Sequence, residues 1–299
     1  QPFLELDSLQ VDTKILSIML HNRMLEVNAM NPAVDIRHVT KIAITDEFSS
    51  GRDIGMISDL LSLPQFAMIN SIAIQSKGIP TVLDSLRKYP CSHSVSMLNL
   101  RGNGVALGPI DSSVYGAFPA CKEVKLQNFT IDQEPTIRRI LIAAPQTESL
   151  VIEDCYAEDE ELENDVADKS WTRTEAFGSL QRLKLQQNSP CINALAIIMS
   201  FTLCFSLRSL MMDGCTIPVF ATFLRLCLRP CITALSFTHT QATLRTWLMV
   251  LLLCPNTKKF EFKDCKITDE FMISGRDKLV RRAKMLAHIG LITHEIINN

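Results

Sequence analysis

The side chains with reactive chemistry are ten cysteines and six histidines, scattered over 299 residues. Nucleophilic catalysis needs a thiol or hydroxyl with a base within hydrogen-bond reach, and no spacing in this sequence sets up such a pair. His239 is the histidine that the strand pattern puts on a sheet face, where an isolated imidazole is more often a surface or core residue than a base. No C-x-x-C occurs, and Cys227 and Cys231 have no nearby His or Cys pair, so the ligand spacing of a zinc site is missing. Gly102 and Gly104 flank Asn103, but the Lys-Ser or Lys-Thr of a phosphate-binding loop does not follow. From Glu153 to Asp168 there are nine carboxylates and no basic residue, without the glycine and ligand spacing of a calcium loop. Asn128, Phe129 and Thr130 form a glycosylation sequon, which has meaning only in a secreted chain and is expected to be unmodified. The expectation is a protein that is not an enzyme and uses no cofactor or metal.

Composition narrows the partners. The net charge of −2 gives no overall field that would gather nucleic acid or an anionic membrane surface, so neither is expected. Hydrophobic residues make up 47% of the chain, yet no apolar run approaches the ~20 residues that cross a bilayer. The longest such run, residues 247–254, reads as a buried helix. No basic segment followed by an apolar one marks a signal peptide at the start. The cysteines run from Cys91 to Cys265 with no cluster at either terminus. Reduced, buried thiols in a cytoplasmic or nuclear protein are therefore expected.

What must position any functional side chain is a ladder of paired apolar residues. The pairs are Leu4/Leu6, Ile42/Ile44, Ile72/Ile74, Leu98/Leu100, Val124/Leu126, Leu150/Ile152, Leu183/Leu185, Leu210/Met212, Leu235/Phe237 and Phe260/Phe262. Their steps are 38, 30, 26, 26, 26, 33, 27, 25 and 25 residues. A fixed period of this size marks stacked supersecondary units. Pro119, Pro145, Pro230 and Pro255 each stand five residues before the first residue of a pair, where a helix must end before the next strand starts. Within a strand the pair points into the core and the residues between and beside it point out.

Three residues beyond the pair come Asn103, Cys155, Asn188, Cys215 and Cys265, small groups able to turn inward and bond to loop backbone. Glu47, Lys77, Phe129 and Thr240 stand there in other units, so those turns are expected to be built differently. Helical spacing follows, as in Phe220, Phe223, Leu224 and Cys227, or Leu244, Leu248, Leu251 and Leu252. Strand plus helix is the unit of the leucine-rich repeat, and C-x-I-T-D from Cys265 to Asp269, with Thr268 or Asp269 as helix cap, resembles its cysteine-containing subclass.

The resemblance implies an α/β fold, a leucine-rich-repeat horseshoe with a concave parallel sheet and convex helices. One domain is expected over residues 1–299: irregular over 1–95, regular over 96–275 with an acidic insertion at about 156–176, and a capping helix at about 276–297. That helix would carry Arg276, Lys278, Arg281, Arg282 and Lys284 on its polar side. The cysteine-containing subclass is typical of the substrate-binding half of F-box proteins, and Cys254-Pro255-Asn256 is similar to that family's repeat start. It implies a protein partner on the concave face and a Skp-type adaptor bound through an upstream F-box. No F-box lies within these residues, and the chain opens almost on a strand at residues 3–6, so preceding sequence is expected. The alternatives are a stand-alone ribonuclease-inhibitor-like or sensor-type domain, for which repeats of 25 to 27 residues are short, and a GTPase-activating repeat protein using an arginine such as Arg101.

The register also assigns the outward face. Besides Lys41, Thr45, Ser71 and Gln75, the candidate binding residues are Asn99, Arg101, Lys125, Gln127, Val151, Glu153, Lys184, Gln186, Met211, Asp213, Ser236, Thr238, Glu261 and Lys263. Ten strands at ~4.8 Å span about 43 Å, and three outward residues per strand give a strip of about 430 Å². A standard interface needs ~800 Å² per partner, so loops at the strand ends are expected to contribute.

Overall fold

A computed structural model describes residues 4–5, 8–12, 34–35, 41–45, 69–75, 79–106, 112–131, 134–156, 178–190, 192–193, 196–197, 206–217, 231–243, 246–247, 250, 256–267, 281 and 293–296. The chain forms two compact units, Gln1–Thr147 and Glu148–Asn299.

In the first unit the strands are β1 (Leu4–Glu5), β2 (Ser8–Asp12), β3 (Val34–Asp35), β4 (Lys41–Thr45), β5 (Ser71–Gln75), β6 (Met97–Ala106) and β7 (Glu123–Thr130). A parallel sheet runs in the order β2-β4-β5-β6-β7, and β1 pairs with β3 apart from it. Parallel neighbours need a crossover, and each interval between ladder strands supplies one. Helix α1 (Ile79–Leu86) follows β5 and α2 (Glu134–Ala143) follows β7. Ile79, Val82, Leu83 and Leu86 are buried on α1, and Ile137, Ile140 and Leu141 on α2, the spacing of a single helix face. Pro145 stands just past α2, where a residue unable to continue the helix was expected.

The register agrees with the expected ladder at Ile42/Ile72/Leu98/Val124 and Ile44/Ile74/Leu100/Leu126. It differs at the start. Leu9 and Val11 of β2, not Leu4 and Leu6, align with Ile42 and Ile44. The step from Leu9 to Ile42 is then 33 residues, closer to the repeat than 38. Both segments alternate apolar and polar residues, and periodicity alone does not choose between them.

Strand β6 holds a second departure. Arg101 pairs with Gln127 and Val105 with Phe129, so three residues, 102–104, oppose Asn128 alone. Asn103 therefore sits in a bulge within a strand that continues to Ala106, rather than opening an inward turn. The Phe129 ring fills the space over Gly102, where any Cβ would overlap it. This turn is built differently, as Phe129 in place of Asn or Cys implied.

The second unit carries β8 (Ser149–Glu153), β9 (Arg182–Gln186), β10 (Ser209–Asp213), β11 (Ala234–Thr238), β12 (Gln241–Ala242), β13 (Lys259–Lys263), β14 (Lys266–Ile267) and β15 (Thr293–Ile296). Its parallel sheet runs β8-β9-β10-β11-β13-β15. Leu150, Leu183, Leu210, Leu235 and Phe260 align, as do Ile152, Leu185, Met212, Phe237 and Phe262. β12 and β14 form a short parallel pair just past the main strands. Phe237, Phe260, Phe262 and Trp247 make one aromatic cluster, with centroid separations from 5.2 to 6.0 Å. Offset and edge contacts of this kind add to area burial.

β15 corrects the expected capping helix over its last turn: Thr293–Ile296 is a strand paired parallel to β13. Gly290 ends helical propensity ahead of it, and β-branched residues follow. The helical runs Phe220–Cys227 and Leu244–Leu252, the cap at Thr268 or Asp269 and most of the acidic insertion fall outside the described residues, although Thr246, Trp247 and Val250 between them are helical and buried.

Leu210 and Leu235 are buried to 0% and 2% exposure, while Ser236 between core positions is half-buried. Leu210→Ala and Leu235→Ala are each expected to lower unfolding free energy by about 2 to 5 kcal/mol in urea titrations. Ser236→Ala should cost under about 1 kcal/mol.

Candidate interaction surface

From β7 to β13 the ladder strands share one turn, whereas Gly102, two residues past the pair of β6, is not left-handed. Two residues past the second apolar residue, the backbone enters the left-handed region at Asn128, Asp154, Gln187, Gly214, His239 and Asp264, with φ between 49° and 62°. Asn, Asp, His and Gly tolerate that region better than other residues do. In the second unit the amide of this residue donates to the strand end of the next repeat: Asp154 to Gln186, Gln187 to Asp213, Gly214 to Thr238 and His239 to Lys263, at 2.8 to 2.9 Å.

The next residue turns inward with a hydrogen-bond donor. Carbonyls of their own strands compete for the single proton, Asp213 at 3.3 Å from Cys215 Sγ and Thr238 at 2.9 Å from Thr240 Oγ1. Besides these, the side chains reach back one repeat: the Asn188 amide to the Ile152 carbonyl at 2.8 Å, Cys215 Sγ to Leu185 at 3.5 Å, Thr240 Oγ1 to Met212 at 3.1 Å and Cys265 Sγ to Phe237 at 3.3 Å. Each acceptor reached in this way is the second apolar residue of the preceding repeat. Asn188 also accepts from the Cys155 amide at 2.9 Å. Thr240 thus corrects the expectation of a different turn, because its hydroxyl does what the thiol and the amide do. A hydroxyl is a donor of comparable reach, so residue identity at this position matters less than the proton it carries.

Burial disables these thiols as nucleophiles. It pushes Cys91, Cys121 and Cys265 up to about 11, and Cys215 upward as well. A thiol held protonated is a poor nucleophile and a poor metal ligand. Among the described residues no group of three or more His, Cys, Asp or Glu side chains is placed to hold a metal ion, and no helix is long and apolar enough to cross a membrane.

All fourteen candidate binding residues lie on the side of their strand away from the core, half-buried or exposed. They fall into two sets. In the first unit Asn99 and Lys125 are register neighbours, as are Arg101 and Gln127. In the second, Val151, Lys184, Met211, Ser236 and Glu261 form one row, and Glu153, Gln186, Asp213, Thr238 and Lys263 the next. Met211 is 41% exposed at the centre of its row. Ser236 donates to Glu261 at 3.1 Å, and Lys259 approaches the same carboxylate at 3.8 Å.

His239, expected on the sheet face, stands one residue past β11 in the left-handed turn. Its ring lies between Asp213 at 3.2 Å and Asp264 at 3.5 Å, spanning three repeats. A neutral imidazole has one N–H to donate and an imidazolium has two. Asp264 and Lys259 were missed at the sequence level. The recurrence of Asn, Asp, Gly and His two residues past each pair was the available signal for the turn.

No protein-family model matches this chain, and no curated protein matches it. A solved structure to which it is similar is an internalin of Listeria monocytogenes, at 12% identity and a TM-score of 0.43, covering 91% of this chain and 71% of that one. The fold itself is read from the repeat: parallel strands in register and, in the second unit, a left-handed turn with an inward donor after it. It is a leucine-rich-repeat fold.

Thr240→Val keeps shape but leaves the Met212 carbonyl without its donor, and should cost about 1 to 3 kcal/mol in denaturant unfolding. Thr240→Cys, which restores a donor, should cost less. The raised thiols give a pH dependence: above pH 9.0 the unfolded chain releases thiol protons that the folded chain holds until about 11. Stability is therefore full below that window and falls as pH rises through it. The urea midpoint should drop across the window, less steeply in Cys121→Ala.

Proposed function

We propose that this chain is a protein-interaction scaffold without chemistry of its own, and that it serves as the substrate-recognition part of an F-box ubiquitin-ligase receptor whose F-box comes from an upstream segment. The observation that carries the scaffold reading is the outward face of the parallel sheets. There the side chains mix amides, both charge signs and an exposed methionine, while the paired apolar residues are spent on the core. Such a mixture suits a polar protein surface with an apolar anchor, since binding energy concentrates in a few desolvated contacts ringed by near-neutral ones. The F-box part is supported by the repeat steps of 25 to 27 residues and by cysteine at the inward turn in Cys155, Cys215 and Cys265. Protein partners are expected, on the outward face.

A photoreactive amino acid in place of Met211 tests the scaffold, with Lys88, whose side chain is 58% exposed next to α1, as the control position. In cells expressing the full reading frame, a defined crosslinked protein at position 211 and not at 88 is the expected result. Equal labelling at both would end the reading. Co-purification of the full reading frame with a Skp adaptor is the separate test of the F-box part, and its failure beside a positive crosslink would leave the scaffold alone.

A further inference from the structure

We infer that the outward face of the first unit is a docking strip for an extended, acidic peptide segment. The inference rests on the scaffold reading and names the chemistry of one of its partners.

Its middle row is Ala43, Ala73, Asn99 and Lys125 on four adjacent parallel strands. Two alanines precede the amide in this row, so the side chains on one flank of Asn99 are short and both stay partly exposed. Asn99 Oδ1 is a buried acceptor to which no described group donates. The terminal torsion of an asparagine is broad, so the amide turns readily toward an incoming chain. There it meets a peptide group on both its atoms, Oδ1 accepting from N–H and Nδ2 donating to C=O.

The charge on this face selects the side chains of that peptide. Lys41, Arg101 and Lys125 carry positive charge, and Asp12 and Glu123 are the carboxylates on this face among the described residues, which leaves one positive charge uncancelled; Asp12 stands three strands from Arg101 in the same row. Arg101 is exposed, and among the described residues no carboxylate reaches it. It lies two residues along the strand from Asn99 on the same side, about 7 Å away. A peptide held at Asn99 with its strand direction along β6 places an alternate side chain at that guanidinium, which takes a carboxylate in a two-bond fork. Lys125 has interactions of its own and adds field more than a contact.

The probes are short fluorescein-labelled peptides alternating Thr with Glu, Thr with Gln or Thr with Lys, titrated by anisotropy against the whole chain. The Glu peptide is expected to bind and the other two not, with affinity falling as salt rises. Arg101→Ala should weaken it about tenfold or more and Arg101→Lys less, because lysine keeps the charge without the fork. Asn99→Ala should weaken it severalfold, and Lys88→Ala should leave it unchanged. Melting curves of the variants matching the parent exclude loss of fold as the cause. No binding of the Glu peptide, equal binding of all three, or affinity indifferent to Arg101 and Asn99 in folded variants would overturn the inference. The Met211 crosslink decides the scaffold reading independently of these outcomes.

Discussion

A donor proton at the end of each strand is the constraint on which the second unit depends. When the chain enters the left-handed turn, the carbonyl of the second apolar residue loses its continuation of the ladder and points into a buried layer. Leaving it bare would cost about 1 to 3 kcal/mol per repeat. Asn188, Cys215, Thr240 and Cys265 each supply that bond to the repeat before them. The same bond ties consecutive repeats together, so satisfying a local carbonyl and stacking the units are one event. In a chain whose core is shared only between neighbours, such nearest-neighbour links carry much of the stability.

Once the turn is given, other features follow from it. The left-handed residue restricts composition to Asn, Asp, Gly and His, with Gln187 the exception. Gly214 shows how little space remains: a Cβ there would stand 3.0 Å from Gln187 Cγ. In the first unit the rule is broken at β6 and β7, where the strands continue past the expected turn and a bulge at 102–104 absorbs the difference. Phe129 lies over Gly102 at that place, so an aromatic ring fills what an inward donor closes elsewhere.

Nearly all of the ladder was legible because a pair spaced by two residues and repeated near 26 is a long-range signal that local propensity cannot imitate. It failed at the first rung, where the segments around Leu4 and Leu9 alternate equally well and only pairing with Ile42 decides. It failed again at Thr293–Ile296, where basic residues interleaved with apolar ones read as a helix running on past Gly290. The outward residues followed directly from register. The inward donors are half legible: asparagine and cysteine stand out by size, and Thr240 does not, because the common property, a donor proton, is invisible until the acceptor is known. The His239 bridge between Asp213 and Asp264 joins residues 51 positions apart and has no sequence signature of its own.

The division of labour between the two sides of each strand bears on how such a protein gains specificity. Backbone ladders, apolar pairs and inward donors fix the strands without help from the outward side chains. Those side chains are thereby released from structural duty, and a change at Lys184 or Met211 alters a surface rather than a fold. Where outward groups do bond to each other, as Ser236, Glu261 and Lys259 do, a partner must first compete with those contacts, which are worth little at an exposed site. Arg101 and Asn99 differ in having no such contact to surrender among the described residues. A partner docking there has no such contact to displace, and its cost is that of ordering the two chains and taking the Arg101 guanidinium out of water, since Asn99 Oδ1 is already buried.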